Sequence, residues 1–128
     1  MALMQVTEQN FEDTIKTGIV LLDFWADWCG PCRMFAPIFE AAAERHPDVV
    51  FGKVDTETES GLAGSLNIRA IPTLMVLRDG VLLAAESGVM PDEVLDDLIT
   101  QVRALDMDEV RRRVEEQRTE ASAEAERP

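Results

Sequence analysis

The segment Ile19–Trp25, "IVLLDFW", constrains the fold of this 128-residue chain more than any other. It is a continuous β-branched and apolar run, without the apolar–polar alternation of a strand that has one wet face. Such a run must be covered on both sides, so it belongs in the middle of a sheet with further layers above and below it. An aspartate, Asp23, interrupts it. Burial would raise that carboxyl's pKa, so the position needs an explanation beyond packing. The length suits one domain with a core of its own. An apolar fraction of 46% is ordinary for such a domain, so no disulfide scaffold is needed.

Periodicity places the other elements around this strand. "ALMQV" reads as a first strand, and Asn10 with Asp13 three residues later resembles a capping box for a short helix that ends near "KTG". From Cys29 to His46 the pattern is helical, with Met34, Phe35, Ile38, Phe39 and Ala42 at helical spacing and Pro37 placed to kink it. "VVFGKVD" is a strand, and "SGLAGSLNI" is a glycine-weakened helix with Asn67 suited to a left-handed cap. "TLMVLRDGVLLAAESG" is a hairpin that turns at Asp79–Gly80. Pro91 opens a helix at its first turn, with Val94, Leu95, Leu98, Ile99 and Val102 as its buried stripe. The order β-α-β-α-β-α-β-β-α implies an α/β fold, a central mixed sheet flanked by helices on both faces.

After Leu105 the composition changes, which divides the chain into a domain over 1–105 and an extension over 106–128. Met107, Val110 and Val114 make only a narrow apolar stripe. Asp108 with Arg112 and Glu109 with Arg113 are acid-then-base pairs at i,i+4, which support a solvated helix. From Thr119 the "ASAEAE" run reads as a disordered tail. The extension is either a solvating appendage or a segment that docks onto a partner.

A formal net charge of -13 repels nucleic acid and anionic membrane, so neither is an expected partner. The N-terminus has no basic stretch before a long apolar run, and no segment approaches the ~18 apolar residues of a membrane span. A cytoplasmic protein is expected, in a compartment that keeps thiols reduced. The only two cysteines, Cys29 and Cys32, are spaced Cys-x-x-Cys just after the buried run. In such a compartment the pair is catalytic or metal-binding before it is structural. Zinc takes four ligands, and this chain offers these two and the distant His46, which is placed to cap a helix or face solvent; only a second chain could complete such a site. A structural disulfide would close too short a loop to stabilise much. Redox chemistry has a mechanism. A sulfur at a helix N-terminus meets unpaired N–H groups and the helix dipole, which favour the thiolate. Cys29 precedes the helix and should be the exposed nucleophile. Cys32, in the first turn and facing inward, can resolve the mixed disulfide. Pro31 suits the first turn, and Gly30 keeps the approach to Cys29 open.

"WCGPC", with "VLLDFWADWCGPCRMFAP", "VDTE", "IRAIPTL", "RDG" and "SGV" in that order, resembles the thioredoxin family from about Val6 to about Val102. The resemblance implies a general protein-disulfide reductase that works by dithiol–disulfide exchange. Within it Asp23 corresponds to the buried acid that takes the Cys32 proton, and Lys53 to the residue that approaches that acid from the next strand. Pro72 corresponds to the family's cis-proline, and the backbone of Ile71 before it would pair with the bound client. Trp28, Gly30, Pro31, Ile71, Pro72, Gly88 and Val89 would form the docking surface. No bound cofactor is implied; electrons would come from NADPH through a flavin-containing thioredoxin reductase. Partners would be that reductase and oxidised client proteins, with the chain acting as a monomer. Alternatives within the resemblance are a reductant dedicated to one target and a thioredoxin-like binding or co-chaperone module, with the tail conferring specificity. Arg33, Ala70, Ser87 and Val89 depart from the family's commonest residues, which bears on partner preference rather than on the chemistry.

Overall fold

The run Ile19–Trp25 forms strand β2, buried along its length except for the half-buried Trp25. The structure, a computed structural model, describes residues 3–126. The elements in chain order are β1 (Leu3–Gln5), α1 (Phe11–Ile15), β2, α2 (Gly30–Arg45), β3 (Val50–Asp55), α3 (Ser60–Ser65), β4 (Thr73–Arg78), β5 (Val81–Ser87), α4 (Asp92–Ala104) and α5 (Met107–Ala125). They build one mixed sheet in the order β1-β3-β2-β4-β5, with β2 at its centre. Strands β1, β3 and β2 run parallel, while β4 is antiparallel to β2 and to β5. The mixed sheet and helix layers expected from the element order are present.

The two-residue period of a strand divides β2 between two cores. Ile19 and Leu21 face a cluster with Phe35, Phe39, Ala42 and Ala43 of α2, Phe51, Leu74, Val76, and Leu95, Ile99 and Val102 of α4. Val20, Leu22 and Phe24 face the other cluster, with Val54, Met75 and Leu77, and Phe11 and Ile15 of α1 against it. The Phe39 ring meets Phe51 edge to face, with centroids 5.1 Å apart. By the same parity, Asp23 lies in the row covered by α2. Gly52 of β3 sits where β1, β3 and β2 approach closely: a Cβ there would lie 2.5 Å from Val6 Cγ2 and 2.8 Å from Leu22 Cδ2. The hairpin turns where expected, with φ of 51° at Asp79 and 81° at Gly80, and Asn67 is left-handed at φ 60°.

Several expectations change. Asn10 is the N-cap of α1 but makes no side-chain capping bond. Its amide is spent on the preceding loop, accepting from Thr7 N–H at 2.8 Å and donating to the Gln5 carbonyl at 2.9 Å. Pro91 is the N-cap of α4 rather than its first residue. Val94 is 50% exposed and leaves the buried stripe, whose buried residues are Leu95, Ile99 and Val102. His46 caps α2 but does not face solvent. Its Nε2 lies 2.7 Å from Asp96 Oδ1 and its Nδ1 3.0 Å from Arg103 Nη2, which ties the end of α2 to α4. The bonds from His46, then Arg45, hold the Asp96 carboxyl below the usual carboxylate range.

The largest change is at the C-terminus. The segment from Thr119 read as disordered continues α5 to Ala125. Asp106 caps the helix by accepting from Asp108 N–H and Glu109 N–H. Alanine and glutamate are strong helix formers, and the Ala/Glu run that lacks a core still has high helix propensity. Of the two expected ion pairs, Glu109–Arg113 forms at 3.3 Å, whereas Asp108 pairs with Arg111 at 3.1 Å. Arg78 of β4 holds the junction between α4 and α5. Its Nη1 donates to the Val102 carbonyl at 2.8 Å, which also accepts from Leu105 N–H, and to the Leu105 carbonyl at 3.1 Å.

Gly52→Ala is expected to destabilise the domain by about 1–3 kcal/mol through overpacking against Val6, whose β-branched side chain has no spare rotamer. Denaturant midpoints of the two proteins check this, and equal midpoints would show that the strands can spread to admit a methyl group.

Candidate active site

The site begins where β2 ends. Four residues after Trp25, Cys29 takes extended backbone angles as the N-cap of α2, and Pro31 occupies the first turn. Cys29 and Cys32 are joined by a disulfide across one helical turn, with Cα atoms 5.2 Å apart. The Cys29 sulfur accepts from the Cys32 backbone N–H at 3.2 Å. That donor is one of the groups a helix start leaves free, and it would equally serve a thiolate at the same place. The expected contrast in exposure between the cysteines is absent: Cys29 is 4% exposed and Cys32 3%. Ile71 packs against both, together with Ala26 and Trp25. Cys29 Sγ lies 3.8 Å from the Ile71 carbonyl oxygen, a contact only, because a disulfide sulfur carries no proton to donate.

Beneath the helix, Asp23 is fully buried, and neither carboxylate oxygen has a hydrogen-bond partner. It stands opposite Lys53 in the β2–β3 pairing, and Lys53 Nζ is 4.0 Å from Oδ2. Desolvation pushes the Asp23 pKa up to about 6, and the Lys53 charge opposes the rise without cancelling it. The ammonium also lies 5.1 Å from the centroid of the Trp25 ring. A cavity of about 130 Å³ is lined by Trp25, Ala26, Asp27, Cys32, Arg33, Ala36 and Lys53. Cys32 and the lysine that faces Asp23 thus share one cavity wall.

Around the disulfide, Trp28 is 67% exposed, and its indole N–H donates to Glu57 Oε1 at 2.6 Å. Sequence reasoning missed Glu57, although it lies two residues after Asp55 in the quoted "VDTE" stretch. A groove of about 330 Å³ runs from Trp28 past Ser60 and Gly64 to Ala70 and Ile71. The Ile71–Pro72 bond is cis. Pro72 is buried, so it offers no side chain to a docking surface, while Gly30, Pro31, Gly88 and Val89 are exposed and Ile71 is half-buried. Gly88 N–H donates to the Pro72 carbonyl at 2.9 Å, which brings the Gly88–Val89 loop beside the cis-proline loop. The residues named in the sequence therefore gather on one end of the sheet.

The family model described as Thioredoxin matches residues 2–101. "Putative thioredoxin 2" of Streptomyces coelicolor is 50% identical over 119 residues, which cover 92% of this chain and 89% of that protein. A match of that extent runs beyond the family model and into α5. Thioredoxin of Bacillus subtilis is 38% identical over 102 residues, 79% of this chain and 98% of that one. A solved mutant thioredoxin from Halobacterium salinarum superposes with a TM-score of 0.75 at 34% identity, covering 81% of this chain and 93% of that chain. On a matching sheet order, a cysteine pair at the start of α2 and relatives that span the whole domain, this chain belongs to the thioredoxin family and is a thiol–disulfide oxidoreductase.

Proposed function

We propose that the chain is a general protein-disulfide reductase in which Cys29 attacks and Cys32 resolves. The observation that carries this reading is the Cys32 N–H aimed at the Cys29 sulfur. It stabilises a Cys29 thiolate and leaves Cys32, whose sulfur accepts no such bond among the described residues, as the thiol that must be deprotonated. In the reduced protein, the Cys29 thiolate attacks one sulfur of a client disulfide, and the other client sulfur leaves as a thiolate. The Asp23 carboxylate then takes the Cys32 proton; Lys53, which lies 4.0 Å from Asp23, borders the same cavity as Cys32. The Cys32 thiolate attacks Cys29, the client leaves with both sulfurs reduced, and the Cys29–Cys32 disulfide remains.

Clients dock on the surface around Trp28, Gly30, Pro31, Gly88 and Val89, with the Ile71 backbone pairing to an extended client segment. The cis-proline Pro72 supports this surface from beneath. The protein works as a monomer in the cytoplasm, and a flavin-containing, NADPH-dependent thioredoxin reductase returns it to the dithiol. Among the described residues no helix is long and apolar enough to cross a membrane. Residues 1–105 act as the redox domain and 106–128 as an appended charged helix.

Two experiments test these roles. Cys32→Ser should accumulate mixed disulfides with client proteins, seen as covalent adducts on non-reducing gels, while Cys29→Ser forms none; adducts formed through Cys32 in the Cys29→Ser protein would reverse the assignment. Asp23→Asn should slow client turnover on the order of a hundredfold at pH 7–8 and remove the rise in rate that wild type shows as pH passes about 6. An unchanged pH profile would reduce Asp23 to packing.

The same variant has a stability signature with a definite sign. The folded-state pKa of Asp23 lies above the 3.8 of an unperturbed aspartate, so protonation favours the fold. Below pH 4 the carboxyl is protonated in both folded and unfolded chains and imposes no penalty. As pH rises through about 6 the folded protein must ionise a buried group, and about 3 kcal/mol of stability is lost. Oxidised Asp23→Asn should therefore be more stable than wild type at pH 8 by about that amount, with the gap closing at pH 4. Denaturant titrations at the two pH values measure it.

A further inference from the structure

Ser87 ends β5, is exposed, and stands opposite Thr73 at the start of β4. Thr73 is buried, and its hydroxyl donates to the Ala70 carbonyl. Ser87 Oγ lies 3.1 Å from the same Thr73 oxygen. A threonine hydroxyl has a single hydrogen. With that hydrogen committed to Ala70, the second bond has to run from Ser87 to Thr73. The outcome is a directed chain, Ser87 O–H to Thr73 O–H to the Ala70 carbonyl, in which each bond polarises the next. The Gly88 N–H bond to the Pro72 carbonyl joins the same two segments one residue further on. These contacts bracket Ile71, whose carbonyl rests 3.8 Å from the Cys29 sulfur.

The geometry points to Ser87 as a positioning residue for client binding: through Thr73, its hydroxyl fixes the Ala70–Pro72 backbone in the orientation an extended client segment requires. This rests on the reading of Ile71 as the client-pairing backbone. Anchoring the Ala70 carbonyl sets the plane of the Ala70–Ile71 peptide, the unit that presents the Ile71 N–H. A loop fixed before encounter loses less freedom on binding than one that must be ordered by the client. Ser87 touches neither sulfur, so its effect falls on binding and not on the exchange steps. The same chain of bonds leaves Ser87 Oγ with its hydrogen occupied and its lone pairs facing solvent, an acceptor at the rim of the docking surface.

Valine and threonine have the same shape and differ at this position only by the hydroxyl. The test is steady-state reduction of insulin by the full chain, with dithiothreitol recycling the dithiol. Ser87→Val should raise KM about fivefold, the scale of one neutral hydrogen bond, with kcat within about twofold of wild type. Ser87→Thr should restore the wild-type KM. Thr73→Val should raise KM at least as far, and adding Ser87→Val to it should change nothing more, because the chain is already cut. A wild-type KM in Ser87→Val, an equal defect in Ser87→Thr, a loss confined to kcat, or additive effects in the double variant would each overturn the inference. Ile71→Pro, which removes the N–H read as pairing with the client, is measured alongside, with circular dichroism to confirm that it folds, and separates the two levels. If it leaves KM unchanged, the docking reading falls and this inference with it; if it raises KM while Ser87→Val does not, only the role of Ser87 falls.

Discussion

Coverage of β2 on both faces is the constraint on which the rest of the molecule depends. A strand that is buried on two sides must alternate its side chains between two cores, and each core must be roofed by its own helices. Ile19 and Leu21 call for α2 and α4, and Val20, Leu22 and Phe24 meet the face that carries α1. The row that begins at Ile19 and Leu21 continues to Asp23, so the acid is delivered to the face that α2 covers. The connection from β2 to α2 is short, and the cysteines therefore begin the helix that roofs the acid. Position of the thiols, position of the acid and position of the core are one geometric fact.

That arrangement works against stability. An apolar residue in place of Asp23 would pack into the core that α2 covers. The carboxylate instead lies without a hydrogen bond, and Lys53 at 4.0 Å compensates only in part. Both Asp23 and the nearby Lys53 would be poor choices for a strand with packing as its only role. The partial compensation matters, since a closer ion pair would lower the carboxyl's pKa and loss of the lysine would raise it further.

Much of the fold could be read from residues whose local requirement is strict. The unalternating run at Ile19–Trp25, the Asp79–Gly80 turn and the Cys29 helix start each admit few conformations, and each is found as read. Where a residue had several ways to satisfy itself, the reading failed. Asn10 can cap a helix or bond the loop before it, and tertiary context decided for the loop. His46 caps α2 as read, but Asp96 and Arg103, fifty residues and more along the chain, arrive from α4 and take its ring out of solvent. The end of α5 was misread because charge without a core was equated with disorder, when capping by Asp106, alanine-rich propensity and local ion pairs suffice for a helix. At the site, the cysteines, Asp23 and Lys53 were legible. The shallow burial contrast between Cys29 and Cys32 was not, because it depends on Ile71 folding over both from a distant loop.

The Arg78 clamp has a consequence for the shape of the molecule in solution. A 19-residue helix is about 28 Å long, comparable to the full diameter of a globular domain of about 100 residues. Because the guanidinium bonds the last carbonyls of α4 and the Leu105 carbonyl to β4, the base of that helix turns with the sheet. Beyond that base the helix is exposed from Glu115 to Glu126, and its length enlarges the hydrodynamic size of the molecule. A single chain of this shape elutes ahead of a sphere of equal mass, and its elution volume alone would mimic a larger assembly.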